Sequence, residues 1–214
     1  MIGKGVLLEC LDAGDVESVV SVSRGTCGET HAKLEEVLHQ DFLDYGALGD
    51  LFVGVDACFF CLGVSAGGMS EEKYTRITHG FTLAAAQALL ERNPNMVFTY
   101  VSGMGTDSSE QGRQMWARVK GKTENALLAM PFRAAYMFRP SIIEPKRGVV
   151  SQTPSYRIAY AALGWAFPIL RPIFPNAITT TERIGRAMLR VVREGSEKKI
   201  LVAADINALA AEAN

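Results

Sequence analysis

The chain has 214 residues, of which 48% are apolar and 21% charged, the composition of one ordinary packed domain. A formal net charge of −1 gives no electrostatic reason to expect binding to nucleic acid or to an anionic membrane. Four cysteines are too few for a disulfide scaffold and are typical of a cytoplasmic protein.

Helices and strands are predicted to alternate along the chain. The opening segment, Gly3–Leu11, carries apolar residues at helical spacing. Short β-branched or apolar runs predict strands at Val16–Ser23, Leu34–His39, Asp56–Leu62, Met96–Val101, Phe132–Phe138 and Lys199–Ala203. Further helices are predicted over Tyr45–Phe52 (one or two turns), from the Ser70 cap to Glu91, from Glu110 to Met130, and over Thr179–Glu194.

Strands separated by helices imply βαβ units with right-handed crossovers. The expected fold is therefore α/β, with a Rossmann-type, doubly wound parallel sheet. Residues 1–147 are expected to form its dinucleotide-binding core. Residues 148–214 are expected to add a small substrate-cleft or interface segment and a closing helix within the same domain.

The first predicted helix begins where a dinucleotide-binding sheet has normally already formed a strand and a glycine-rich turn. Gly3 stands at the place of the last glycine of that turn. In the usual strand order 3-2-1-4-5-6 the first strand is central, so Val16–Ser23 and Asp56–Leu62 would both lack a neighbour. We therefore expect the first strand and the front of the phosphate turn to be missing, leaving a destabilised chain that holds a diphosphate only at the helix N-terminus.

Cys58 and Cys61 form a CxxC pattern inside an apolar run of strand length. In a strand, residues three apart point to opposite faces, so the two sulfurs would diverge. Burial in the core is favoured over a metal site, because His31, His39 and His79 do not stand at metal-ligand spacing.

The segment Ile158–Phe174 is largely apolar and about as long as the shortest membrane spans. Pro168, Arg171 and Pro172 interrupt it. Packing over a substrate cleft or at a subunit interface is favoured over membrane contact, and the protein is expected to be a monomer or a homodimer.

Ligands of an open α/β sheet bind beyond the carboxyl ends of its strands. Arg24 follows the first predicted strand, where a basic residue holds the 2′-phosphate of NADP and an acidic residue would favour NAD. A solvated surface arginine is the alternative. The other candidate cofactor contacts after strands are Asp41 and Phe42 for the adenine, Leu62, Gly63 and Val64 for a ribose, and Pro140 near a nicotinamide.

A third set of candidates involves the helix that follows Ser102. Trp116 and Lys120 are four residues apart and share one helical face. Ser102 ends the preceding strand and is expected to meet that face. Packing is the alternative for Trp116, and a solvated lysine is the alternative for Lys120.

The order of these motifs resembles the atypical short-chain dehydrogenases/reductases, and more narrowly the small NAD(P)-binding epimerase/dehydratase-like proteins of bacteria. The resemblance is carried by a Cys-Leu-Gly turn, by Val101-Ser102-Gly103, by the helical lysine at 120 and by Phe138-Arg139-Pro140. It covers nearly the whole chain and is best from 56 to 147.

The resemblance implies a Ser–Tyr–Lys set in which the tyrosine exchanges a proton with the substrate oxygen, the lysine holds the ribose and the serine orients the carbonyl. Ser102 and Lys120 match that set, but Trp116 takes the place of the tyrosine. An indole N–H donates a hydrogen bond but is no acid or base near neutral pH. Cofactor binding therefore carries over better than proton-coupled hydride transfer.

The expected function is NADPH-dependent reduction or oxidation of a small carbonyl or hydroxyl compound whose identity the sequence does not reveal. One alternative is a non-catalytic NADP-binding or redox-sensing protein, which Trp116 favours. Another is a truncated form with impaired cofactor binding.

Overall fold

A computed structural model describes residues 1–150, 167–174 and 176–211. The strands are β1 Val19–Ser23, β2 Leu34–Leu38, β3 Ala57–Phe60, β4 Val97–Val101, β5 Ala134–Arg139, β6 Ile142–Glu144, β7 Ile178–Thr180 and β8 Ile200–Val202. The α-helices are α1 Ile2–Asp12, α2 Glu71–Thr75, α3 Phe81–Arg92, α4 Met115–Ala129, α5 Phe167–Ile173, α6 Thr181–Arg193 and α7 Ala203–Ala211. A 3-10 helix covers Gly46–Phe52, and a π-helical turn covers Arg76–Gly80.

Parallel pairing joins these strands into three sheets. Strands β3, β4, β5 and β8 form a four-stranded sheet in the order β3-β4-β5-β8. Strands β1 and β2 form a separate pair, and so do β6 and β7. The predicted α/β fold with a parallel, Rossmann-type sheet is confirmed, and the small β6-β7 pair was not predicted.

Two apolar layers cover the faces of the four-stranded sheet. Helices α1, α6 and α7 cover one face, and the core there contains Val6, Phe138, Ile184, Met188 and Ile206. The 3-10 helix, α3 and α4 cover the other face, and the core there contains Phe52, Leu89, Phe98, Leu127 and Met137. The buried run of β4 is continuous because this strand has a neighbour on both sides and helices on both faces.

Helix α1 is held in place by a close approach to α6. A β-carbon added at Gly5 would lie 2.5 Å from the Thr181 Cβ, and one added at Gly185 would lie 2.7 Å from the Glu9 Cγ. Since the interhelical distance leaves no room for either β-carbon, two glycines allow the helices to pack. This contact fixes the N-terminal end of α1 beside the sheet.

The long helix predicted from Ser70 to Glu91 is present, but it is not a uniform α-helix. The Ser70 hydroxyl caps α2 by accepting a hydrogen bond from the Lys73 amide at 3.3 Å. The chain then passes through the π-helical turn Arg76–Gly80 into α3. A π-turn contains one extra residue and rotates the face of the helix that follows it.

The predicted start of the next helix at Glu110 is wrong, because α4 begins at Met115. Glu110 has a positive φ of 61°, which interrupts any helix. The Asp107 carboxylate accepts hydrogen bonds from the Ser109 amide at 3.0 Å and the Gly112 amide at 2.6 Å. A short acidic side chain that bonds nearby amides favours a turn over a helix.

Cys58 and Cys61 face opposite layers of the molecule, as the spacing predicted. Cys58 packs against the layer that contains α3, and Cys61 packs against the layer that contains α1. Burial raises the pKa of the Cys58 thiol, and it raises that of Cys61 to about 12. Both are therefore protonated, weak nucleophiles near neutral pH.

The apolar segment predicted over Ile158–Phe174 lies partly outside the described residues, since the structure describes it only from 167 to 174. That part contains the short helix α5, on which Ile169, Leu170 and Ile173 are exposed. Within the described ranges, no helix has both the length and the apolar character needed to cross a bilayer.

Candidate functional site

A cleft of about 1560 Å³ separates β1 from β3. In the described part of the chain, β1 pairs only with β2 and β3 only with β4. We call this cleft the strand gap. Strands β1 and β3 form two of its walls, α1 lines one side, and Phe52, Ala85 and Leu89 of the opposite apolar layer line the other. The two strands expected to lack a common neighbour are therefore separated in the structure.

Five of the predicted cofactor contacts line the strand gap, namely Gly3, Arg24, Phe42, Leu62 and Gly63. Arg24 is exposed just beyond the carboxyl end of β1. A β-carbon added at Gly63 would meet no atom within 4 Å, so the backbone there is open to close approach. The arrangement brings a cation and an accessible turn to the edge of the sheet where ligands bind.

The residues predicted for the adenine have different surroundings from each other. Phe42 also lines the gap but is 5% exposed, and its ring stacks on Phe81 with centroids 5.8 Å apart. Asp41 is exposed, and its carboxylate accepts a hydrogen bond from the Leu43 amide at 3.0 Å. Asp41 and Val64 are not part of the gap lining.

A second cluster, which we call the Ser102 cluster, contains Ser102, Trp116, Lys120 and Pro140 and lies at the carboxyl ends of β4 and β5. The Lys120 ammonium donates a hydrogen bond to the Ser102 carbonyl oxygen. The Pro140 carbonyl accepts one from the Met104 amide at 2.9 Å, which ties the loop after β4 to the end of β5. The expected meeting of Ser102 with the helical face of Lys120 is thus present.

Burial lowers the pKa of Lys120 to about 8, although the nearby Glu124 carboxylate opposes that shift. Its side chain is held close to the backbone, since a β-carbon added at Gly103 would lie 4.0 Å from the Lys120 Nζ. A lysine in this state changes its charge within the range of ordinary assay conditions.

Trp116 packs over the loop that follows β4. The Cη2 atom of its indole would lie 3.2 Å from a β-carbon added at Gly105, whose φ is +86°. The tyrosines Tyr74 and Tyr100 are buried in the same half of the molecule, and burial raises the pKa of both phenols. Both phenols are therefore protonated near neutral pH and are shielded from solvent.

Sequence reasoning did not assign a role to Glu124, which is fully buried beneath Ser102. The Ser102 hydroxyl donates to the Glu124 Oε1 at 2.5 Å. Arg139 donates from its Nε to the same oxygen at 3.0 Å and also pairs with the second carboxylate oxygen. The available signal was position, because Glu124 continues the stripe of Trp116 and Lys120 by one more step of four.

The buried pair of Glu124 and Arg139 determines which group the Ser102 hydroxyl contacts. Ser102 is 4% exposed, and its hydroxyl faces the Glu124 carboxylate. The same oxygen lies 3.2 Å from the Phe138 carbonyl, which is a second acceptor. Ser102 therefore joins α4 to the ends of β4 and β5, whereas Lys120 as a residue is only partly buried.

No family model matches the chain. Among curated proteins, the chain is 27% identical over 150 residues to "Protein FMP52, mitochondrial" of Eremothecium gossypii, a match that covers 69% of this chain. The chain spans 64% of the length of that relative.

Several solved structures are similar to this chain in fold. An oxidoreductase of the short-chain dehydrogenase/reductase family from Burkholderia thailandensis has a TM-score of 0.65 and 16% identity over 97% of this chain and 89% of its own. RMD of Pseudomonas aeruginosa, solved with NADPH, has a TM-score of 0.59 and 18% identity over 86% of this chain and 78% of its own. WbmH of Bordetella bronchiseptica, solved with NAD+, has a TM-score of 0.66 and 14% identity over 94% of this chain and 71% of its own. The chain shares its fold with these three proteins.

Proposed function

We propose that the protein binds NADP(H) and acts as an oxidoreductase on a small carbonyl or hydroxyl compound. The observation that carries this proposal is the contact of Lys120 with Ser102 at the carboxyl end of β4, in a chain with this fold. A bound nicotinamide would supply or accept a hydride. The residues of this chain bind and orient the cofactor and hold the substrate oxygen.

Specific residues suit the separate parts of such a cofactor. Helix α1 has no capping side chain at its start, so the amides of its first turn are free to face a diphosphate. Arg24 stands beyond the end of β1, where a 2′-phosphate would lie. The open turn at Gly63 and the Lys120 amine fit a ribose.

NADP preference leads to the first prediction. Arg24→Asp should weaken NADPH binding by more than about tenfold, since it removes a charge-assisted contact to a phosphate and adds a repulsive charge. Calorimetric titration of parent and variant with NADPH and with NADH measures the effect. Exposed Arg113, which lies in the loop before α4, provides the control substitution Arg113→Asp. Equal affinity of the parent protein for NADH and NADPH would contradict the assignment of Arg24.

The role of Lys120 leads to the second prediction. Lys120→Ala should raise the NADPH dissociation constant, whereas Trp116→Phe should leave it nearly unchanged. Because the pKa of Lys120 is about 8, its positive charge is present below that pH and is lost above it. The parent's affinity should therefore weaken between about pH 7 and pH 9, and Lys120→Ala should abolish that part of the pH dependence. The opposite pattern, with Trp116→Phe the more damaging change, would show that the cofactor lies against the indole.

A non-catalytic NADP-binding or redox-sensing protein is the second candidate, and Trp116 is the observation that favours it. Substrate-dependent oxidation of NADPH, tested on small aldehydes, ketones and sugar nucleotides, separates the two candidates. An enzyme oxidises NADPH faster when a substrate is added, whereas a sensor binds NADPH without that increase. Absence of NADPH binding at millimolar concentration would reject both candidates.

A cytoplasmic location and a monomeric or homodimeric state complete the proposal. The reduced state expected of Cys10, Cys27, Cys58 and Cys61 supports the first. Sedimentation of the purified chain tests the second.

A further inference from the structure

Neighbouring groups hold Ser102 at its amide, its hydroxyl and its carbonyl. The amide donates to the Phe138 carbonyl at 2.9 Å, and the hydroxyl donates to the Glu124 carboxylate at 2.5 Å. The carbonyl accepts from the Lys120 ammonium. Any movement of Ser102 would therefore move the acceptor that Lys120 contacts. The link to Glu124 joins two side chains, so a substitution can change it without altering the backbone.

Glu124 is fixed in turn by Arg139. The arginine donates from its Nε to the Glu124 Oε1 at 3.0 Å and pairs with Oε2 through a second nitrogen. Contact through two nitrogens sets the orientation of a carboxylate as well as its position. Arg139 also donates to the Ser108 hydroxyl at 2.5 Å. The carboxylate therefore connects α4 with the ends of β4 and β5 and with the loop that follows β4.

The charge of Glu124 acts on Lys120 as well. Lys120 precedes Glu124 by one helical turn, so the two side chains lie on one face of α4. Burial lowers the pKa of Lys120 to about 8, and the Glu124 carboxylate opposes that effect. An amine that loses a nearby opposite charge gives up its proton more easily. Without the carboxylate, more of the Lys120 amine would be neutral near pH 7, and a neutral amine binds the Ser102 carbonyl more weakly.

Several other titratable side chains packed around α4 are neutral at pH 7. They come from three elements, with Tyr74 on α2, His79 on the π-helical turn and Tyr100 on β4. Burial raises the pKa of both phenols and lowers the pKa of the imidazole. These groups therefore place no charge beside Lys120.

The charged side chains near α4 have partners of their own. The contacts are those of Asp107 with the Gly112 amide, Glu110 with the Asn125 side chain, and Glu71 with Arg118. Arg139 approaches from β5 and pairs with Glu124. Glu124 is therefore the carboxylate that acts on the charge of Lys120.

We propose that Glu124 is a positioning residue, whose carboxylate fixes Ser102 and thereby holds the Lys120 ammonium at the carboxyl end of β4. This inference rests on the proposed function, in which Lys120 contacts the ribose of NADPH. An ammonium has three N–H donors, of which the Ser102 carbonyl takes one within the described residues. The other two can then face the hydroxyls of a ribose. Glu124 is fully buried and acts on the cofactor through Ser102 and Lys120.

Glu124→Gln tests the proposal, since glutamine keeps an acceptor for the Ser102 hydroxyl but carries no charge. The pKa of Lys120 in the variant should fall by about 1 or more from its parent value of about 8. The pH dependence of the Lys120 Cε chemical shift in isotopically labelled, cofactor-free protein measures this pKa, and Lys120→Ala identifies the signal. The pH above which NADPH binding weakens should fall by the same amount. Glu72→Gln, an equal charge change at an exposed position of α2, should leave both values unchanged.

A second variant covers the case in which Glu124→Gln does not fold, because that change leaves Arg139 without its carboxylate. Glu124→Gln with Arg139→Gln replaces the ion pair by two amides, and the pKa of Lys120 should again fall. Unchanged titration of Lys120 in either folded variant would show that Glu124 serves stability alone and would overturn the proposal. A parent protein that binds no NADPH would instead reject the proposed function, and the titration of Lys120 in the cofactor-free protein would still decide the role of Glu124.

Discussion

Arg139→Leu is expected to lower the melting temperature by about 6–20 °C. The substitution removes the cation that forms a salt bridge with the Glu124 carboxylate and leaves the Lys120 ammonium as the remaining nearby positive charge. Glu124 is fully buried, and the Arg139 side chain is 16% exposed, so solvent screens the pair weakly. Breaking a buried pair by removing one partner costs about 3–5 kcal/mol. At this chain length each kcal/mol corresponds to about 2–4 °C.

The double variant Glu124→Leu with Arg139→Leu separates the charge from the packing. Replacing both members of a buried pair by apolar residues is often nearly neutral, so more than half of the lost stability should return. Ser102 keeps an acceptor in the double variant, because its hydroxyl lies 3.2 Å from the Phe138 carbonyl. Thermal unfolding followed by circular dichroism measures both variants. If the double variant were as unstable as the single one, the loss would come from the packing of the arginine side chain.

Gly121→Ala is expected to lower the melting temperature by about 5–10 °C, although alanine is normally the better helix former. Gly121 lies in α4 directly against the loop of Asp107. An added β-carbon would overlap the Asp107 carbonyl oxygen and lie 2.5 Å from its carbon. Both groups are backbone, so neither can rotate away. The helix and the loop would have to separate.

Gly80→Ala is the matched control for that prediction. Gly80 also has helical dihedral angles, but its added β-carbon would lie 3.4 Å from the tip of the Leu43 side chain, an ordinary contact. Its melting temperature should stay unchanged or rise by about 2–4 °C. A stable Gly121→Ala protein would show that the loop can move away from α4 at little cost. Since Trp116 packs over Gly105 in that loop, its fluorescence should report the displacement.

The sequence was informative where apolar runs were continuous. The strands at Val97–Val101 and Ala134–Arg139 were predicted to within two residues of each bound, because strands covered on both faces contain few polar residues. The short strands Ile142–Glu144 and Ile178–Thr180 were not predicted. Two residues of the second were assigned to the start of the helix predicted over Thr179–Glu194. The early helix start at Glu110 failed because its turn depends on the Asp107 side chain, which binds amides several residues away.

The same contrast applies to the candidate site. The rule that ligands lie beyond strand ends brought Ser102 and Lys120 together, and they are in contact. The pairing of Glu124 with Arg139 joins a helix to a strand end 15 residues away. Helical periodicity places Glu124 on a face, but only the packed sheet brings Arg139 to it. The roles of Arg24, Asp41 and Phe42 toward a cofactor stay predictions.

The separation of β1 from β3 bears on how the molecule unfolds. The β1-β2 ribbon has no backbone ladder to the larger sheet in the described residues, and side chains attach it instead. Val19 packs under α1, Val22 and Val37 pack in the aromatic layer, and Lys4 of α1 donates to the Cys27 carbonyl in the loop after β1. Segments held in this way open below the global transition as cooperative units of their own. We therefore expect the ribbon and the four-stranded sheet to unfold as two separate cooperative units. A protease that cuts in the 25–33 loop would then cleave molecules in which the four-stranded sheet is still native.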